Sequence, residues 1–138
     1  MPLSLTLTEG VIPTSSEKEA VSRITDSMLA HHGLESNKAM RPNVTAQVTI
    51  LPRKNTFSGG NEFSGAWIEW KVPTFAFSDR EIQLAHFAEC TKIIQELSGG
   101  KQPADLIFSN VVHTVDGSWN FNGVAMTNEE IGAELAKG

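Results

Sequence analysis

The stretch MPLSLTLTEG, residues 1–10, places a proline directly after the first methionine and then alternates leucine with serine or threonine. Alternation with a period of two predicts a β-strand with one apolar face. A proline is tolerated as the first residue of a strand, because its missing N–H removes no central ladder hydrogen bond there. We therefore expect a strand that begins at Pro2 and turns its leucines toward a core.

The position of Pro2 also has a chemical interpretation. Once Met1 is removed, Pro2 carries a secondary amine at the end of a rigid strand. Burial in an apolar pocket lowers the pKa of such an amine, because the charged form is disfavoured there. A base that titrates near the working pH suits proton transfer beside a carbonyl group. The alternative is that Pro2 only starts a strand.

Length and composition restrict the classes of protein to consider. A chain of 138 residues fits a single domain, 1–138. Its net charge of −5, with no run of Lys or Arg, argues against a nucleic-acid surface. Cys90 is the only cysteine, so it excludes an intrachain disulfide and fits the helix-borne filler of a core. We see no secretory signal and no apolar run of membrane-spanning length, and we expect a cytoplasmic protein.

The rest of the chain predicts a strand, helix, strand, strand, helix, strand order. Further strands are expected at residues 44–51, 67–72 and 104–112. Capping boxes at Thr14–Glu17, Ser78–Glu81 and Thr127–Glu130 predict the starts of two long helices and of a brief terminal one. The apolar side predicted for the second helix comprises Leu84, Phe87, Ala88, Thr91 and Ile94.

Two strand–helix–strand units of similar length, about 2–52 and 66–115, indicate an α+β fold duplicated in pattern. Each crossover is expected to be right-handed and to leave its two strands parallel. Both helices would then cover one face of a four-stranded sheet. The other face would remain partly apolar, and we expect an oligomer to bury it.

These features resemble the tautomerase superfamily, which includes 4-oxalocrotonate tautomerase, macrophage migration inhibitory factor and cis-3-chloroacrylic acid dehalogenase. The resemblance rests on Pro2 after Met1, on the first strand running into Thr8-Glu9-Gly10, and on the duplicated units. Shorter similarities to the dehalogenase group or to the inhibitory factor lie at 24–26, 55–60 and 119–120. The similarity covers most of the chain, from Pro2 to about Gly123.

The resemblance implies a β-α-β-β-α-β subunit that assembles into a trimer, with the proline near a subunit boundary. Pro2 matches the proline whose amine shuttles a proton in this superfamily.

The other catalytic residues of the dehalogenase are missing from this sequence. The dehalogenase histidine would fall at Met28, its arginines near Pro73 and Ala76, its tyrosine near Ser109 and its glutamate near Asn120. Without a water-activating carboxylate and a carboxylate clamp, we predict neither dehalogenase nor hydratase activity.

A keto–enol tautomerase needs fewer catalytic groups than a dehalogenase or a hydratase. It requires a base of moderate pKa, a hydrogen-bond donor for the enolate oxygen, and an apolar pocket. Pro2 is the candidate base for a small enolisable carbonyl acid. Lys71, or a backbone N–H near the end of the third strand, is the candidate donor, and Asn120 is a further one. The candidate aromatic lining consists of Trp70, Phe108 and Trp119.

Three alternatives remain open at this point. Lys71 at a strand end is often only a solvated charge, and Asn120 in a turn-rich segment often bonds its own backbone. The whole chain could be a non-catalytic trimer that binds a small ligand or a partner protein. An unrelated ferredoxin-like α+β fold would show the same order of elements.

We predict no cofactor and no metal, since the adjacent His31 and His32 point about 100° apart on a helix.

Overall fold

The computed structural model describes residues 1–138 as three helices and eight strands. The elements of the first half are β1 (Pro2–Thr8), α1 (Glu17–His31), β2 (Thr45–Leu51), β3 (Phe57–Ser58) and β4 (Asn61–Glu62). Those of the second half are β5 (Ala66–Pro73), α2 (Arg80–Leu97), β6 (Ile107–Thr114), β7 (Trp119–Phe121), β8 (Val124–Met126) and α3 (Asn128–Leu135). None of the helices has the length and apolarity that a membrane span requires.

The main sheet has the strand order β2-β1-β5-β6. Strand β1 is parallel to β2 and β5 is parallel to β6, as a helical crossover between two strands requires. The two units meet along an antiparallel pair, in which Leu5 of β1 faces Ile68 of β5. The predicted α+β class with duplicated strand–helix–strand units is confirmed. Strands β3 and β4 form one separate hairpin, and β7 and β8 form another.

The alternation at the start of the chain sets the core. Leu3, Leu5 and Leu7 are at most 1% exposed, and they lie in one apolar cluster with Ile24 of α1 and Ile93 of α2. Both helices therefore cover the same face of the sheet, as predicted. Truncating a buried leucine of this kind to alanine costs about 2–5 kcal/mol of stability, because the cavity collapses only in part.

The helix starts differ in detail from the predicted capping boxes. A 3₁₀ turn over Thr14–Ser16 precedes α1, and no side chain caps that helix. In α2 the cap is Asp79, which has extended backbone and accepts a hydrogen bond from the N–H of Glu81. Ser78 lies one position too early to reach that donor. Only the box at Thr127–Glu130 forms both of its reciprocal hydrogen bonds.

The buried side of α2 also differs from the predicted one. Leu84 is 55% exposed, whereas the fully buried positions are His86, Cys90, Ile93 and Ile94. Apolar periodicity missed this face because two polar side chains belong to it. Burial raises the pKa of the Cys90 thiol to about 12, which keeps it protonated and fits its predicted role as a core filler.

His86 is buried because its ring has partners on both nitrogens. The indole Nε1–H of Trp70 donates to Nε2 at 2.9 Å, so Nδ1 carries the ring proton and faces the Ser27 hydroxyl at 2.9 Å. Burial lowers the pKa of His86 to about 3, with smaller contributions from His31 and His32. A neutral histidine thus holds β5, α1 and α2 together.

The open face of the sheet carries an aromatic cluster, which we define as Phe63, Trp67 and Phe108. Trp67 and Phe108 are stacked with ring centroids 5.9 Å apart, and Phe63 contacts both rings edge-on. Phe108 is 40% exposed, and Val112, further along the same strand and face, is 41% exposed. The face without helices is therefore partly apolar, as predicted. Trp67 and Trp70 lie on opposite faces of β5, as their spacing indicates.

We expect His86 to make the free energy of unfolding depend on pH. Its folded-state pKa of about 3 lies below the ordinary value of 6.5, so the unfolded chain binds the extra proton between these limits. The contribution of neutral His86 to the free energy of unfolding is complete above pH 6.5. It decreases as the pH is lowered toward 3, by up to ~1.4 kcal/mol per pH unit. Urea unfolding between pH 4.5 and 7.5 should give a shallower profile for His86→Gln. Parallel profiles for the two proteins would contradict this prediction.

Candidate functional site

A cleft of about 410 Å³ opens at the edge of the sheet where β1 begins. Its lining consists of Met1, Pro2, Asn43, Thr45, Lys71, Thr114, Ser118, Trp119 and Asn120. Strand pairing explains why these residues meet. Pro2 pairs with Thr45 at the start of the parallel strand β2, and the antiparallel pairing of β1 with β5 brings the end of β5 to the same edge.

The structure brings four of the six sequence-predicted site residues into this cleft. They are Pro2, Lys71, Trp119 and Asn120. Lys71 lies near the end of β5 and its side chain is 56% exposed, with the ammonium 3.8 Å from the Glu69 carboxylate on the same strand face. Asn120 is exposed at the rim.

The other two predicted residues lie elsewhere in this chain. Trp70 points to the helix face of the sheet and is fully buried. Its indole N–H donates a hydrogen bond to His86. The period of two along β5 requires this, since Lys71 and Trp70 are neighbours and face opposite sides. Phe108 lies at the start of β6 in the aromatic cluster, whereas the cleft is at the other end of that strand, at Thr114.

The backbone of Met1 is held in the sheet, and its side chain is only 3% exposed. Its amine donates a hydrogen bond to the carbonyl of Asn43, and its carbonyl accepts one from the N–H of Thr45 at 3.2 Å. Burial lowers the pKa of the Met1 amine from 8.0 to about 5. The start of β1 is therefore a place where an amine is neutral at pH 7.

Sequence reasoning missed Thr45, Asn43 and Thr114 as lining residues. A signal for Thr45 was present, because a parallel crossover puts the start of β2 beside the start of β1. The same argument applied to β5 and β6 puts Thr114 at the edge that contains Lys71. What the pattern did not contain was the antiparallel β1–β5 pairing, which joins these two edges into one site.

A tight turn brings Trp119 back to the cleft after β6 ends. The N–H and the hydroxyl of Ser118 both donate to the carbonyl of Val115, at 3.0 and 2.6 Å. Gly117 has φ of 89°, a left-handed conformation that a side chain would strain. The turn reverses the chain in four residues, so that Thr114 and Trp119 line the same cleft.

Two polar groups in the cleft are buried without any hydrogen-bond partner: the hydroxyl of Thr114 and the indole N–H of Trp119. Lys71 is the one cationic side chain of the lining, and no carboxylate belongs to it. Four of the positions where the dehalogenase residues would fall, Met28, Pro73, Ala76 and Ser109, lie outside the lining. No group of three or more His, Cys, Asp or Glu side chains is arranged to hold a metal ion.

The fold is shared with several solved structures over nearly the full chain. The Q0 fused 4-OT, a wild-type symmetric trimer, has a TM-score of 0.76 at 10% identity, covering 96% of this chain and 99% of that one. Pt0534 inactivated by 2-oxo-3-pentynoate has a TM-score of 0.75 at 16% identity, covering 96% and 99%. N1, a member of the cis-3-chloroacrylic acid dehalogenase family, has a TM-score of 0.72 at 12% identity, covering 99% of both chains.

No protein-family model matches the sequence, and no curated protein matches it. The solved structures named above nevertheless share one fold with this chain over nearly its full length. At these identities the likeness establishes the architecture: this chain has the fold of the tautomerase superfamily. The resemblance drawn from the first strand and the duplicated units is confirmed at that level.

We expect the amine of a Met1-bearing chain to titrate far below an ordinary chain terminus, because burial disfavours its charged form. Protein prepared with methionine aminopeptidase inhibited can be reductively methylated with ¹³C-formaldehyde. The NMR shift of the N-terminal methyl groups should then change with a midpoint near pH 5. A midpoint near 8 would mean that the start of β1 is open to water.

Proposed function

We propose that the chain, after removal of Met1, is a tautomerase that uses the Pro2 amine as a general base on a small enolisable carbonyl acid. The observation that supports this most is the environment at the start of β1, where burial lowers the pKa of an amine to about 5. The Pro2 nitrogen, which would be the new chain terminus, lies one residue further along at the same end of β1. Its pKa would be lowered for the same reason, and it would be neutral at pH 7.

The reaction is an isomerisation that needs no oxidant and no leaving group. Neutral Pro2 accepts the enol O–H proton, and the resulting prolinium returns a proton to the neighbouring carbon, which converts enol to ketone. The Lys71 ammonium attracts the substrate carboxylate to the cleft. The reverse direction uses the same groups in the opposite order.

The cleft is less suited to hydration or hydrolytic dehalogenation. Either reaction requires a water molecule that a base activates while the Pro2 ammonium protonates the substrate. The cleft lining contains no Asp or Glu, and the position expected for the dehalogenase glutamate is Asn120 at the rim. An amide cannot accept a proton at neutral pH, so the lining of the cleft offers no second base for water.

We propose further that the protein works as a homotrimer. The open face of the sheet exposes part of Phe108, 40%, and of Val112, 41%, next to the stacked aromatic cluster. Exposed apolar faces of this kind are commonly buried by association. The Q0 fused 4-OT, which has the same fold, is a symmetric trimer.

A second candidate function is non-catalytic binding by the same trimer. It is favoured by the burial of Met1, because a retained methionine leaves the Pro2 nitrogen as an amide without basicity. Intact mass spectrometry distinguishes the two candidates. A mass that includes Met1 favours binding, and a mass that lacks it favours catalysis.

Replacing Pro2 with alanine should lower the rate of phenylenolpyruvate ketonisation by the Met1-free protein at least tenfold, a modest share of what general-base catalysis supplies. Alanine retains an amine but loses the secondary nitrogen and the ring that fixes its direction. Ketonisation is followed by the loss of enol absorbance. Equal rates for the two proteins would remove Pro2 from the mechanism. Ser4→Ala, on the same face of β1 but outside the cleft lining, is the matched control.

We expect the protein in solution to have a mass of about 45 kDa, three times the 15.0 kDa chain. Light scattering coupled to size exclusion measures this directly. Phe108→Glu should dissociate the assembly, because it places a charge in the exposed apolar part of the open face. A trimer that persists in this variant would mean that another surface holds the subunits together.

A further inference from the structure

The cleft contains a specific defect in hydrogen bonding. Buried polar groups in proteins nearly always have a partner, so each exception asks for an explanation. In this chain three buried side-chain atoms lack one: Ser109 Oγ, Thr114 Oγ1 and Trp119 Nε1. Two of the three line the cleft at Pro2, and they come from different elements joined by the tight turn.

Removal of Met1 frees a further donor on the β2 side of the cleft, with β1 and β5 between it and Thr114. The backbone N–H of Thr45 is satisfied by the Met1 carbonyl at 3.2 Å, and this acceptor leaves with the residue. Thr45 is the direct strand partner of Pro2, so the released N–H lies beside the new amine. The buried Met1 side chain also vacates part of the cleft.

The chemical character of these groups restricts the ligand. An indole N–H and a backbone N–H can only donate, and a threonine hydroxyl can donate as well as accept. The unpartnered donors of Thr114 and Trp119 therefore require a ligand atom that accepts, such as a carbonyl, carboxylate or enolate oxygen. Lys71, which is 3.8 Å from the Glu69 carboxylate, is the one cation in the lining, so it can attract a single substrate carboxylate while the neutral donors serve another oxygen.

We propose that Thr114 and Trp119 hold the keto oxygen of a 2-oxo acid with one carboxylate, and that Met1 blocks the cleft until it is removed. The inference rests on the proposed function of Pro2 as the base. As Pro2 takes the proton, negative charge develops on this oxygen, and preorganised neutral donors stabilise it. The carboxylate that an arginine clamp would hold is left to Lys71.

The test uses variants that remove one donor each and preserve shape. Thr114→Val loses the hydroxyl, and Trp119→Phe loses the N–H but keeps an aromatic ring. Thr114→Ser restores the hydroxyl. Ser109→Ala removes the other unpartnered hydroxyl, which lies on the helix face and outside the cleft, and it is the matched control.

Two readouts are measured on Met1-free protein. The first is ketonisation of phenylenolpyruvate. The second is covalent labelling by 2-oxo-3-pentynoate, the compound that inactivates the structural neighbour Pt0534. In labelling, the Pro2 nitrogen adds to the alkyne carbon further from the ketone. The alkyne carbon next to the ketone receives a proton, so the addition has no leaving group. Holding the ketone oxygen accelerates this addition without any turnover.

We expect Thr114→Val and Trp119→Phe to lower kcat and the labelling rate about 10- to 100-fold each, up to the lower end of the ~100- to 1000-fold range seen on loss of one oxyanion donor. Thr114→Ser should recover most of the rate, and Ser109→Ala should match the native protein. Both donor deletions should unfold at an equal or higher urea concentration, because they remove buried groups without partners. A merely structural role for Thr114 would instead lower that midpoint.

The outcomes separate this inference from the function on which it rests. Native labelling at Pro2 with equally fast labelling of both variants overturns the oxygen site and leaves Pro2 as the base. Absence of any Pro2 adduct in the native protein overturns the base, and the oxygen site with it. Met1-bearing protein should bind pyruvate, followed by calorimetry, at least tenfold more weakly than the trimmed chain. Equal affinity would refute the blocking role of Met1.

Discussion

The structure depends on the position of β1 between a parallel and an antiparallel neighbour. Its leucines anchor both helices on one face, and its two sets of ladder hydrogen bonds join the two strand–helix–strand units. Because β1 is central, its first residue lies inside the fold and not on a frayed end. The same pairing brings the start of β2 and the ends of β5 and β6 to Pro2. Fold and candidate site thus have one origin, the register of a single strand.

Two buried polar systems in this small chain behave in opposite ways. Both ring nitrogens of His86 have a hydrogen-bond partner, so this neutral side chain connects the sheet to the helices. Around Met1 the amine is strongly desolvated, and the donors of Thr114 and Trp119 have no acceptor. Complete satisfaction is typical of groups that only stabilise a fold. Donors without a partner beside a desolvated amine are typical of groups that bind a ligand.

Much of the fold was predictable because its signals are local. The period of two in residues 1–10, the capping box at Thr127–Glu130 and Gly33 after α1 each depend on a few neighbouring residues. Predictions failed where a remote partner changes the local preference. His86 faces the core because Trp70 and Ser27 lie opposite its ring, and no helical periodicity of apolar residues contains that information.

For the site, the sequence by itself determined which chemistry is available: a proline after the first methionine, one lysine at a strand end, and neither the histidine, the arginines nor the glutamate of the dehalogenases. It also determined that each unit is parallel, because a helical crossover allows little else. Only the tertiary structure decided that β1 pairs with β5, that Trp70 turns away from Pro2, and that Thr114 and Trp119 turn toward it. The reason is physical: strand order and the burial of a polar atom depend on contacts between residues far apart in the chain, and local pattern does not encode those contacts.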